Sequence, residues 1–205
     1  MIIKRLILGE LGTNCYIAMD ETTCEAVVID PAANAEAIKN ALKTMGATLR
    51  LVVLTHCHFD HIGAAEELKS EYVPLVCLDK EEGSLSSPSM NLSRGFGFPE
   101  IVIYADRTVT DGDEIPFGNS SLKVIATPGH TIGGMCLYAD KVLFAGDTLF
   151  AGSIGRTDFP GGSFEVIANS IRTRLYTLPE DTVVYPGHGE FTTIGEEKRG
   201  NMYVR

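Results

Sequence analysis

Thr55-His56-Cys57-His58-Phe59-Asp60-His61-Ile62-Gly63 (THCHFDHIG, 55–63) packs three of the chain's five histidines into six positions, with an aspartate directly before the third. His56 and His58 are two residues apart, so an extended segment points both imidazoles the same way. The adjacent Asp60-His61 pair can turn toward a second centre. The apolar run LRLVVL (49–54) leads straight into the cluster, which places it just past a buried strand.

Three other apolar runs end in the same manner. LKVIAT (122–127) leads into Pro128-Gly129-His130, KVLFA (141–145) into Gly146-Asp147, and TVVY (182–185) into Pro186-Gly187-His188. Each potential ligand sits on a turn with Thr, Gly or Pro, where glycine lets the backbone pass close to a bound ion. If the four strands share one edge of a packed sheet, their ligands converge. Taken singly, His130 reads as a satisfied polar group and Asp147 as a turn cap. Taken together, those explanations must account separately for one shared strand-end pattern. All five histidines, with Asp60 and Asp147, form a set of seven donors. One catalytic zinc takes three protein ligands. Seven suit two ions roughly 3.5–4 Å apart that share a carboxylate and a water.

The 205 residues, 44% hydrophobic and 21% charged, are an ordinary globular composition, and no linker or repeat divides them, so a single domain over 1–205 is expected. A net charge of −10 with no basic stripe argues against nucleic acid. No apolar run approaches a membrane span, and MIIKRLILGELG has no signal-peptide cleavage pattern. Five cysteines without C-x-x-C spacing are the usage of reduced thiols, hence a cytoplasmic protein. Cys57 lies between His56 and His58, so its side chain is expected to face away from them.

Strands are expected at MIIKRLIL, NCYIAM, EAVVID, LRLVVLT, PLVCL, IVIY, SLKVIATP, MCLYAD, KVLFAG and TVVYP, the last followed by a polar tail. Ile38, Ala41, Leu42 and Met45 mark a helix stopped by Gly46; residues 62–70 read as helical, and 163–175 as a second amphipathic helix. The polar stretch 79–100 is expected to shape substrate choice as a lid or a disordered loop. Ala151-Gly152-Ser153-Ile154-Gly155 imitates a nucleophile elbow, but no helix follows at once and no histidine is left to serve as its base.

These residues resemble the metallo-β-lactamase superfamily, through H-x-H-x-D-H at 56–61, PGHT at 128–131, FAGDTLF at 144–150 and PGHG at 186–189. GSIGRTDFPGG (152–162) and TTIGEEK (192–198) are similar to the glyoxalase II-like hydrolases within it. The resemblance implies an αββα sandwich with the metal site at one edge of two facing sheets. It assigns one metal to His56, His58 and His130 and the other to Asp60, His61 and His188, with Asp147 bridging. Zinc is the first expectation, iron or manganese the alternatives. Asp147 differs from the cysteine of several true lactamases, and His58 from the glutamate of the flavodiiron branch. Two departures stand out. Seventeen residues follow His188, so the C-terminal helical domain that helps glyoxalase II bind glutathione is not expected, and Arg156 stands where that enzyme has a lysine near the substrate.

The implied activity is hydrolysis of a thioester of a small-molecule substrate, with catalytic roles for Asp60, Asp147 and Arg156. A thiol leaving group, with a pKa of about 8.5, departs without a dedicated acid. Asp30 and Asp158 are the residues that could orient a ligand imidazole, each equally readable as a turn carboxylate. The alternatives are a persulfide dioxygenase with one iron on His56, His130 and Asp147, a lactonase or phosphodiesterase, and a non-catalytic binding protein.

Overall fold

Alternation along the first strands sets the layers. In a computed structural model of the chain, which describes residues 1–95 and 99–205, β1 (Ile2–Leu8), β2 (Thr13–Met19) and β3 (Glu25–Ile29) form an antiparallel meander. Then β4 (Thr48–Val53), β5 (Leu75–Leu78) and β6 (Arg107–Val109) extend it in parallel to a six-stranded sheet. On β2, Cys15 and Ile17 join Val28, Val52 and Leu54 on one face, whereas Tyr16 and Ala18 join Val27, Ile29, Leu51 and Val53 on the other. Successive side chains of a strand point to opposite faces, so a sheet covered on both sides needs both sets apolar.

The second sheet holds β7 (Glu114–Phe117), β8 (Ser120–Ala126), β9 (Met135–Ala139), β10 (Val142–Gly146), β13 (Val183–Pro186) and β14 (Thr192–Thr193), in the order β14-β13-β10-β9-β8-β7. A small hairpin, β11 (Leu149–Phe150) and β12 (Ser153–Ile154), lies between β10 and β13 in the chain. Ile115, Phe117, Leu122, Val124, Leu137 and Phe144 of this sheet pack on the Tyr16 face of the first, and this is the central core.

Helices cover both outer faces. α1 (Ala35–Met45) lays Ile38, Ala41 and Leu42 on the Cys15 face. Asn34 caps its first turn, accepting the Ala37 N–H, and Gly46 ends it at φ 67°, a left-handed conformation that the missing Cβ permits. α2 (Phe59–Ile62) begins inside the histidine cluster and α3 (Ala65–Leu68) follows, which splits the helix expected over 62–70. On the other side α5 (Phe164–Ser170) and α6 (Ile194–Gly200) cover Ile125, Leu143, Ala145 and Val184 through Ile167, Ala168 and Ile194. The result is the expected αββα sandwich.

Local departures have local reasons. IVIY (101–104) forms no strand; Ile103 is buried in the outer core as part of a loop. β6 and β7 come instead from RTVTDGDEIPF, where Asp111-Gly112-Asp113 reads as a turn and Pro116 as a strand breaker. Pro116 is tolerated because β7 is an edge strand. The helix expected over 163–175 is α5 plus a π turn, Ile171–Leu175, closed by Tyr176 N–H to the Ile171 carbonyl. The polar tail is β14 and α6. Thr193 accepts the Glu196 N–H while the Glu196 carboxylate accepts the Thr193 N–H, a capping box legible as T-x-x-E.

The stretch 79–100 is packed rather than free over its described part. A 3-10 turn, Asp79–Glu81, and α4 (Glu82–Leu85) follow β5, and Glu81, Leu85, Asn91 and Ser93 are fully buried. Asn91 donates to the carbonyls of Leu85 and Ile101, and its own carbonyl accepts the Phe59 N–H, so this segment is built onto the histidine loop. Leu92 reaches the cavity described below; residues 96–98 lie outside the described residues.

Candidate metal centre

The four strand ends do not share one sheet edge. β4 belongs to the first sheet and β8, β10 and β13 to the second, so the donors meet across the sandwich. Backbone bonds stitch the ends together: Met135 N–H to the Thr55 carbonyl at 2.9 Å, and Gly187 N–H to the Gly146 carbonyl at 2.8 Å.

Among the described residues three compact groups of possible donors result, one of them Asp30, His56 and His61, and the other two are the expected sets. His56, His58 and His130 have ligand atoms within 4.8 Å of one another, and so do Asp60, His61 and His188. Asp147 stands between them. Its Oδ1 lies 3.4 Å from His61 Nε2, and its Oδ2 lies 3.6 Å from both His130 Nε2 and His188 Nε2. All seven residues singled out in the sequence are therefore in one place. His56 Nε2, His58 Nε2 and Asp147 Oδ1 are buried without a hydrogen-bond partner, an arrangement that costs roughly 1–3 kcal/mol per group in an unliganded core. Imidazoles and carboxylates aimed at each other are what a divalent cation would satisfy, so the residues fit one.

The electrostatics follow the same grouping. Burial and the neighbouring rings of His61, His58 and His130 hold His56 well below the usual histidine range, and burial with His130 brings His58 down to about 3. His61 goes the other way: burial opposes its charge, but Asp60, Asp147 and Asp30 more than offset that and raise it well above its ordinary value. Burial likewise opposes His188, whose contact with Asp60 at 3.2 Å prevails and raises it. Asp147 and Asp60 pay the burial penalty too, yet the facing imidazoles, His61 foremost, hold both carboxyls low.

Around the donors, a layer of partners sets ring orientation. Asp30, at φ 51° past β3, accepts the Thr55 N–H and Thr55 hydroxyl at 2.7 Å each and contacts His61 Nδ1 at 3.0 Å. Thr55 Oγ1 in turn lies 3.1 Å from His56 Nδ1. The orienting role read for Asp30 thus has its geometry. Asp158 has not: it pairs with the Arg156 guanidinium at 2.7 and 3.0 Å, two residues away, where both are exposed. What meets His130 Nδ1, at 2.7 Å, is the backbone carbonyl of Arg156, a partner with no residue-type signature. The Arg156 side chain lies over the Phe159 ring at 4.2 Å. Cys57 turns away from the rings as expected, its thiol 4.0 Å from the Met90 carbonyl, and burial pushes it up.

Thr13 and Asn14 were missed by the sequence reading. Thr13 donates to Asp60 Oδ2 at 3.1 Å. The Asn14 amide donates to the carbonyls of Pro186 and Gly189, both at 3.0 Å, and its N–H to that of Gly187 at 2.7 Å. The available signal was two consecutive polar residues opening an otherwise apolar strand, TNCYIAM. Within the turn that Asn14 holds, a Cβ on Gly187 would come 2.2 Å from Asp147 Oδ1 and 2.7 Å from His61 Cε1. Gly187→Ala is therefore expected to push Asp147 aside and lower kcat about 10²-fold, with the fold retained by circular dichroism. Wild-type kinetics in the variant would contradict this geometry.

The donors open into a cavity of about 350 Å³, walled by Leu11, Phe59, Leu92, Phe150 and Phe159, with Arg156 on its rim. Two facing sheets with a histidine–carboxylate cluster at their common end define a class of αββα metal-site proteins. The family described as the metallo-beta-lactamase superfamily matches residues 8–188, and the chain belongs to it. It is 36% identical to hydroxyacylglutathione hydrolase GloC of Haemophilus influenzae, over 100% of this chain and 98% of that one. Among solved structures, the BLEG-1 B3 metallo-beta-lactamase is 38% identical, with a TM-score of 0.93 over 99% of both chains. ETHE1 from Myxococcus xanthus is 32% identical, with a TM-score of 0.82 over 100% of this chain and 84% of that one. TTHA1623, solved in a di-iron-bound form, is also 32% identical, with a TM-score of 0.82 over 98% and 99%.

Proposed function

We propose that the protein is a dinuclear metal hydrolase of the glyoxalase II type, acting on a thioester of a small-molecule substrate. The observation that carries this is Asp147, with one oxygen facing His61 and the other facing His130 and His188 at 3.4–3.6 Å. A carboxylate so placed would be able to serve two metal ions at once. The similarity to GloC supports the substrate class, and the di-iron form of TTHA1623 supports two ions.

His56, His58 and His130 would hold one ion, Asp60, His61 and His188 the other, and Asp147 both. Two divalent ions there, zinc first and iron or manganese as alternatives, would make water nucleophilic at neutral pH and polarise the substrate carbonyl. Everything else falls to the chain. Asp30 and the Arg156 carbonyl hold the outer nitrogens of His61 and His130, so that each ring presents its other nitrogen to the centre. Thr13 keeps Asp60 turned inward. The apolar walls keep bulk water off the reacting carbonyl. Arg156, steadied by Asp158 and Phe159, waits at the rim for the developing oxyanion or an anionic end of the substrate.

All five histidines lie in the two donor groups, so none is left to protonate a leaving group. A thiolate does not need one, whereas an amide nitrogen does, and this favours thioesters over lactams and peptides. Five free cysteines, four of them buried, support a reducing, cytoplasmic setting, and among the described residues no helix is long and apolar enough to cross a membrane.

The similarity to ETHE1 favours a second reading, a dioxygenase with one iron on His56, His130 and Asp147. The two readings separate in one experiment: metal analysis of protein purified without added metal, beside a panel of acyl-glutathione thioesters, lactones, phosphodiesters, a β-lactam and glutathione persulfide. The proposal expects two ions per chain and thioester turnover. One iron per chain with oxygen uptake on the persulfide would sink it; preference for the β-lactam would move the substrate toward that of BLEG-1.

A further inference from the structure

Glu81 is a carboxylate with no solvent exposure, in the stretch that the sequence marked as a polar loop. Its two oxygens accept two backbone N–H groups from different parts of the site: Oε1 that of Cys57 at 2.9 Å, and Oε2 that of Gly133 at 2.8 Å. Cys57 lies between His56 and His58, and Gly133 closes the turn that carries His130. One side chain thus ties together the two loops that bear all three donors of the first group. These loops issue from opposite sheets, after β4 and β8, and Glu81 itself follows β5.

The packing around this contact is close. A Cβ on Gly133 would lie 2.4 Å from the Glu81 nitrogen and 2.6 Å from its Oε2, so the glycine at 133 is what lets the carboxylate approach. A buried carboxyl is tolerated where its oxygens find donors, and here two backbone N–H groups meet them. Neither the hydrolytic mechanism nor the metal assignment uses this residue.

We infer that Glu81 is a positioning residue for the His56–His58–His130 centre: it sets the separation of the two loops and thereby the affinity and geometry of that centre. This rests on the reading that the three histidines bind an ion. Shape alone does not suffice for the role, because a glutamine presents an NH2 group to one of the two N–H donors and so can accept from only one loop.

The experiment compares wild type, Glu81→Gln and Glu81→Asp, each titrated with Co2+ against a chelator and followed by ligand-field absorption, with kcat and KM measured alongside. For Glu81→Gln the expected result is about a 10–100-fold weaker first centre, the magnitude usual for lost outer partners of ligands. Its absorption band should shift, and kcat should fall with KM little changed. Glu81→Asp keeps both acceptors and should recover part of the affinity. The Asp60–His61–His188 centre should bind as in wild type.

Wild-type affinity and spectrum in folded Glu81→Gln overturn the proposal and leave the hydrolase reading standing. Failure of the wild-type protein to bind Co2+ through these histidines, with His58→Ala unchanged from it, defeats both. If Glu81→Gln does not fold, amide exchange in the wild-type protein decides. The Cys57 and Gly133 amides should both be strongly protected with and without metal, and exchange at the rate of exposed loops would overturn the assignment.

Discussion

Asp147→Ala should lose hydrolysis by about 10³-fold or more while leaving the fold intact. Asp147 follows β10 and faces three imidazole nitrogens at 3.4–3.6 Å, outside the three apolar cores. On the proposed dinuclear reading, its removal would take a shared ligand from both centres, without opening a cavity among packed apolar side chains. A 10³-fold loss corresponds to about 4 kcal/mol of transition-state stabilisation. The loss should fall on kcat more than on KM, since the cavity walls that hold the substrate remain. Asp147→Asn separates charge from shape, because it keeps the volume and one acceptor oxygen but not the negative charge. Its activity should lie nearer to alanine than to wild type, with metal content reduced. An Asp147→Ala enzyme retaining a tenth or more of wild-type turnover would mean that the bridge is wrongly assigned.

Removing the metal should be the second large effect, and should appear in stability as well as in activity. The donor groups bring imidazoles within hydrogen-bond distance of one another, His58 Nδ1 with His130 Nε2 at 2.9 Å and His61 Nε2 with His188 Nε2 at 3.3 Å. They also leave buried nitrogens and an oxygen without partners. An ion that binds only the folded state, at free concentrations a thousandfold above its dissociation constant, adds about 4 kcal/mol. In a domain of this size each kcal/mol moves Tm by about 2–4 °C. Exhaustive chelation is therefore expected to lower Tm by roughly 10 °C and to abolish turnover, both recovered on adding back the native ion. Restoration by zinc, iron and manganese in separate arms identifies the metal. Metal-free protein with unchanged Tm and activity would defeat the dinuclear reading altogether.

Most of the site was legible because its donors are marked by residue type. Imidazoles and carboxylates just past apolar runs stand out in any sequence, whereas the covering of both faces of the first sheet, with Cys15 and Ile17 of β2 on one side and Tyr16 and Ala18 on the other, shows in the packing. The groups that steady the donors were harder to read. Asp30 ended a recognisable strand and could be named. Asp158 looked equivalent by position, yet it turns outward to Arg156, while the Arg156 carbonyl meets His130. Glu81 sat in a polar stretch that composition alone marks as solvated. Burial at such a position comes from the elements packed over it, which lie far away in the chain.

What the sequence determined by itself was the set of seven candidate donors and the apolar runs that carry them. Tertiary structure alone decided that His56, His58, Asp60 and His61 come from one sheet while His130, Asp147 and His188 come from the other. It also decided that a backbone carbonyl and a buried glutamate hold them in register. The reason is the range of the forces involved. Side-chain alternation and turn chemistry act over a few residues and leave a local trace. Strand pairing runs through backbone hydrogen bonds that every residue type except proline can make, so which strands become neighbours is settled only when the whole chain packs.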